Sequence, residues 1–182
     1  MKTFGIASRQ YAWFASAVLF LLTAGPVGAA GPKGANLVDT ALAVNSDGPF
    51  AGAFDTLIAA VLAADAAVVE TLAGNGQHTV FAPTDTAFEA LGITPENLDD
   101  LLADGTLTVD SLTHILLYHV THGRRYSGEV LASENIRILN GEFVQQGGGV
   151  LTDNEGGLAT IIVVDVAAAN GVIHAIDAVL IP

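Results

Sequence analysis

Thr79-Val80-Phe81-Ala82-Pro83-Thr84-Asp85-Thr86-Ala87-Phe88 is the stretch on which the fold turns. Thr79 to Ala82 have the β-branched and aromatic content of a strand. Pro83 has no N–H to donate to a ladder, so it ends that strand. Thr84 or Asp85 then offers the side-chain oxygen that caps a helix, and Ala87, Phe88 and Leu91 give that helix its apolar side.

Upstream of this switch the sequence reads as helices. Asn36 is placed to cap one carrying Leu37, Ala41 and Val44, and Asp47-Gly48-Pro49 breaks it. Phe54, Leu57, Ile58, Val61 and Leu62 recur at three and four residues, the spacing of an amphipathic helix. Asp65 caps a further short helix with Val68, Val69 and Leu72, which Gly74-Asn75-Gly76 ends. Downstream, Thr94-Pro95-Glu96-Asn97 predicts a helix start with proline at the first position, leading through Leu98, Leu101 and Leu102. Asp110 or Ser111 opens the next helix, whose buried stripe is Leu112, Ile115, Leu116 and His119.

After Gly123 the period changes. Residues 136–139 and 142–145 flank Asn140-Gly141, a hairpin turn that needs positive φ. Residues 150–152 form a short strand. Residues 159–166 are an almost unbroken apolar run, which predicts a strand buried on both faces. Asn170-Gly171 turns the chain into a last strand predicted over 172–181. Helices first and strands second indicate an α+β fold.

The first thirty residues have a different character. Lys2 and Arg9 precede an uncharged stretch from Tyr11 to Leu22, and small residues follow to Ala30. That order predicts a secretory signal peptide over 1–30, with Val27-Gly28-Ala29 as the cleavage signal. The alternative is an uncleaved anchor, although the apolar run is shorter than the about 20 residues a span needs. Residues 31–35 read as a linker and 36–182 as a single domain. No membrane span is expected in the mature chain, and no anchor or sorting signal after Pro182. Without the signal peptide the chain keeps 4 basic against 19 acidic residues, a net charge of −15. Such a surface repels phosphate backbones, which argues against nucleic acid as a partner. With no cysteine, packing alone must stabilise the exported domain.

Three segments in order resemble the fasciclin domain family: Thr79 to Phe88, then Leu116-Leu117-Tyr118-His119-Val120, then Asn170-Gly171-Val172-Ile173-His174-Ala175-Ile176-Asp177-Ala178-Val179-Leu180-Ile181-Pro182. The resemblance covers roughly residues 35–182. It implies a wedge of two small β-sheets with several helices packed around it. It also implies structural roles for Thr79, Phe81, Pro83, Thr84, Asp85, Phe88, Tyr118, His119, Asn170, Gly171, His174 and Asp177.

The candidate chemistry reads two ways. His119 lies on an apolar stripe, where it is either a general base or metal ligand, or an imidazole bonded to partners across the core. His174 poses the same choice, and Thr84, Asp85 and Asn170 are candidates for buried networks. His114, His119 and His122 lack the four-residue spacing of a zinc pair on one helical face. Asp153-Asn154-Glu155 lacks the ligand period of a calcium loop. No nucleophile elbow, phosphate loop or dinucleotide fingerprint is present, so no catalytic residue, metal or cofactor is expected. Arg124, Arg125 and Tyr126 are either a contact for an acidic partner or ion-pair partners for the chain's own carboxylates.

The resemblance favours a secreted or periplasmic, non-catalytic interaction module that meets an extracellular protein or polysaccharide in cell adhesion or matrix contacts. The alternative is a carrier of an apolar, carotenoid- or lipid-like small molecule.

Overall fold

The computed structural model describes residues 34–182; the segment predicted to be a signal peptide and most of the predicted linker lie outside the described residues. The order is α1 (Leu37–Ser46), α2 (Asp55–Ala63), α3 (Ala66–Ala73), β1 (His78–Pro83), α4 (Asp85–Glu89), α5 (Leu98–Ala103), α6 (Val109–Tyr118) and β2 (Val120–His122). Then come α7 (Ser127–Leu131), β3 (Asn135–Arg137), β4 (Phe143–Gly147), β5 (Val150–Thr152), β6 (Leu158–Ala168) and β7 (Gly171–Ile176). This is an α+β domain.

The strands run β2-β1-β7-β6-β5-β4-β3. β1 and β7 are parallel, and the other pairs are antiparallel. The wedge's two small sheets share the long strand β6, which pairs with β7 near one end and β5 near the other. The outer strands also meet, because Thr121 bridges Ile138 and the Leu139 N–H donates to the Val120 carbonyl at 2.8 Å.

Strand alternation sorts the interior into two cores. Val80, Ala82, Ile173, Ala175 and Val166 face the helices. Phe81, Ile176, Ala159, Leu151 and Val144 fill the inside of the curled sheet with Tyr118 and Leu180. β7 lies between these cores and is buried along its whole length.

Several local readings hold. Asn36 accepts from the Asp39 N–H at 2.9 Å and Asp39 reaches back, a capping box on α1. Asp65 caps α3 at the Ala67 N–H. Gly141 takes φ 95° in its hairpin turn.

Others differ, each for a tertiary reason. β6 is not buried on both faces: Ile162 and Val164 are 49% and 41% exposed, because up to the bulge at Asp165 only the odd side turns inward. The last strand ends at Ile176 rather than 181, and Ile181 is held instead by the Asp153 carboxylate. The helix expected at Thr94-Pro95 begins only at Leu98, since Asn97 Oδ1 accepts from the Thr94 N–H and closes a turn. α6 starts at Val109, capped by Thr108.

Gly171 is required by space. A Cβ there would overlap the His78 carbonyl oxygen and press on Leu37. Gly171→Ala should therefore force apart the β1–β7 start or α1 and destabilise the domain by roughly 3 kcal/mol. Equilibrium denaturation in urea measures this; a loss below about 0.5 kcal/mol would show that the contact relaxes without cost.

Candidate functional site

Asn170 and Asp85 serve helices they do not belong to. Buried Asn170 accepts from the Leu37 N–H at 2.8 Å, at the start of α1. Its amide nitrogen donates to the Leu72 and Gly74 carbonyls at 2.8 and 2.7 Å, at the end of α3. α2 has no side-chain cap of its own. Asp85 supplies one, accepting from the Thr56 and Asp55 N–H groups at 2.8 and 3.2 Å, where a carboxylate also suits the helix dipole. Thr84 acts through its backbone, bonded to the Ile176 carbonyl at 3.2 Å, and Phe88 and Pro83 are buried beside it.

Two of the buried histidines, His119 and His174, have both ring nitrogens occupied by backbone, whereas the Nδ1 of buried His78 has no partner among the described residues. His119 Nδ1 lies 2.7 Å from the Ile115 carbonyl and Nε2 accepts from the Leu180 N–H at 2.9 Å, which fixes a neutral tautomer protonated on Nδ1. His174 Nε2 lies 2.9 Å from the Arg125 carbonyl, and Nδ1 accepts from the Asp165 N–H at 3.3 Å. Its ring stacks on Phe81 with centroids 5.9 Å apart. Burial pushes the His119 pKa down to about 4, and burial lowers that of His174. Neither ring touches a carboxylate oxygen or retains a free nitrogen for proton transfer. Tyr118, next to His119, donates to the Phe143 carbonyl at 3.2 Å and so ties α6 to β4.

The remaining histidines diverge. His114 is on the surface near Glu142, while His122 faces His78 across β1 and β2. Among the described residues no three His, Cys, Asp or Glu side chains converge as metal ligands.

The Arg124–Tyr126 segment separates by role. Arg124 donates to the Ala168 and Ala169 carbonyls at 3.0 and 2.7 Å and to Gln77 at 3.1 Å, so it pins the end of β6. Neither arginine pairs with a carboxylate among the described residues. Thr79 accepts from the Arg125 N–H at 2.8 Å and donates to the Gly123 carbonyl at 2.8 Å, fixing this loop on β1. The Arg125 side chain bonds weakly to the His122 carbonyl at 3.3 Å, and Tyr126 is 41% exposed.

Asp165 was not singled out from the sequence, and Asp153 was read there only as part of an acidic turn. Asp165 adopts φ 63° in a bulge of β6 and caps α7, with Ser127 N and Oγ both 2.6 Å away. Asp153 accepts from the Gly157 and Glu155 N–H groups at 2.6 and 3.1 Å, and from Ile181 at 2.9 Å. Its oxygens are engaged by backbone donors. The following Gly156-Gly157 was the legible sign of that turn. Asp177 accepts from the Thr160 N–H at 2.6 Å, where β6 leaves β7.

The fasciclin domain profile matches residues 52–182. The chain belongs to the fasciclin domain family. Protein sll1483 of Synechocystis sp. is 44% identical over 133 residues, covering 71% of this chain and 67% of that relative. The immunogenic protein MPB70 of Mycobacterium bovis is 32% identical over 162 residues, covering 87% of this chain and 77% of the relative. A solved FAS1 domain pair from the insect cell adhesion molecule fasciclin I superposes with a TM-score of 0.53 at 25% identity, over 71% of this chain and 45% of that one.

In this fasciclin domain α1 precedes the matched region, yet it packs on α3 and β7. Between α1, α2 and the sheet lies an apolar cavity of about 100 Å³. Val38, Ala41, Ile58, Val61, Val80 and Ile173 are on its walls, and His119 is its one polar lining side chain.

The buried histidines make stability depend on pH. Their folded pKa values lie below the unfolded value of about 6.5, so the unfolded chain takes up protons first as pH falls. Their contribution is complete above about pH 6.5 and declines on acidification. His119 alone should cost about 1 kcal/mol between pH 7.5 and 5.5, and roughly 3 kcal/mol by pH 4. Urea unfolding at each pH measures this slope, which His119→Gln should reduce while leaving carboxylate titration in place.

Proposed function

We propose that this fasciclin domain is a non-catalytic interaction module that acts outside the cytoplasm, secreted or periplasmic, through contacts with an extracellular protein or polysaccharide. The observation that carries this reading is the occupation of five polar side chains that the sequence offered as candidates for chemistry or contact. Asn170, Asp85, His119, His174 and Arg124 all hold backbone groups of the fold, so recognition falls to the outer surface. The likeness to a domain pair of an insect cell adhesion molecule supports it, as does the signal-like order of residues 1–30.

Arg125 and Tyr126 are the assigned contact residues, because a planar cation beside a half-exposed aromatic suits a protein or polysaccharide surface. The cavity beneath α1 favours the second reading, a carrier of an apolar molecule. Its volume bounds that reading to one end of a chain or ring system rather than a whole carotenoid.

Retention of the purified protein on cells and on immobilised matrix proteins and polysaccharides tests the first reading. Arg125→Glu with Tyr126→Ala should weaken retention at least about tenfold, or about 1.4 kcal/mol, with an unchanged unfolding midpoint. Equal retention by the double variant would move the contact elsewhere, and no retention on any surface would overturn the module reading.

A further inference from the structure

The cavity under α1 carries a more specific conclusion, one that rests on the carrier reading. Its walls are carbon except at His119, whose Nδ1 faces the Ile115 carbonyl and whose Nε2 is taken by the Leu180 N–H. No donor inside is therefore free to meet an anion. The cavity reaches solvent beside Leu42 and Leu62, which line it while 42% and 69% exposed. The helices around that opening bear only negative charge. Asp39 lies on α1, Asp47 just after it and Asp55 at the start of α2, and no lysine or arginine occurs between Gly34 and Gly123.

We propose that this cavity binds the end of an uncharged aliphatic or branched-hydrocarbon molecule and discriminates against the corresponding carboxylate. A peptide does not fit the lining, because its N–H and C=O groups would be desolvated without partners. An apolar cavity of about 150 Å³ holds a benzene ring, so this one accepts a few carbons and leaves any head group at the mouth. Among the described residues the helices that frame the mouth offer an anionic head carboxylates and no cation, whereas a hydroxyl loses little. The discrimination is electrostatic at the mouth and weakens as salt screens it.

The experiment titrates the full chain with 1-octanol and with octanoate by calorimetry near pH 7.5, in low salt and in about 0.5 M NaCl. Octanol should bind, and octanoate should bind at least about tenfold more weakly in low salt, with the gap narrowing in high salt. Leu62→Arg places a cation at the mouth on an exposed position. It should strengthen octanoate binding several-fold relative to octanol.

Ala41→Phe fills the cavity and should abolish octanol binding while the protein still unfolds cooperatively. Ile58→Phe, on the facing wall, serves if that variant does not fold. Octanol binding that survives in a folded filling variant excludes this cavity as the site. Binding of neither probe overturns the carrier reading together with the discrimination. Equal binding of both probes, or no response to Leu62→Arg, leaves the carrier reading standing and overturns the charge selection.

Discussion

The side-chain amide of Asn170 and the missing side chain of Gly171 set the relation between the helices and the sheet. Asn170 holds the first N–H of α1 and two carbonyls at the end of α3, elements that lie about a hundred residues away in the chain. Next to it, Gly171 lets β7 start against the His78 carbonyl and Leu37. Loss of the amide would leave two buried backbone groups and one partly buried one unpaired, each buried group costing on the order of 1–3 kcal/mol. With those helix ends placed, α1 and α3 cover the side of β1 and β7 that carries Val80, Ala82, Ile173 and Ala175.

The same economy of partners runs through the other polar interior groups. Asp85 caps α2 from α4, Asp165 caps α7 from β6, and His119 secures the segment after β7 from the end of α6. In each case a side chain from one element meets a helix end or strand end of another, where backbone groups lack partners by construction. In a protein with five histidines and nineteen carboxylates, these groups serve the backbone of the fold. Burial lowers the pKa of the His119 and His174 imidazoles, and their nitrogens are engaged.

The helical half was legible because its signals are local. Asn36 and Asp65 cap within three residues of themselves, and the apolar spacing of Leu57, Val61 and their neighbours follows from one helix. The strand half was less so. The run 159–166 contains Ile and Val at every position from 161 to 164, so no alternation separates Val163, packed toward the helices, from exposed Ile162 and Val164. The short helix α7 has little apolar period of its own, and its cap arrives from Asp165, thirty-eight residues later. Arg124 read as a surface cation because nothing near it in sequence predicts carbonyls from the end of β6.

The sequence by itself determined the order of elements, the α+β class, the turn at Asn140-Gly141 and the family, because caps, turns and motif boxes act over a few residues. The tertiary structure alone decided which polar groups face backbone, which face of β6 stays wet, and that α1 and α2 leave an apolar cavity above the sheet. Those outcomes depend on packing between segments far apart in the chain. Local propensity contains no information about what a side chain meets when it gets there.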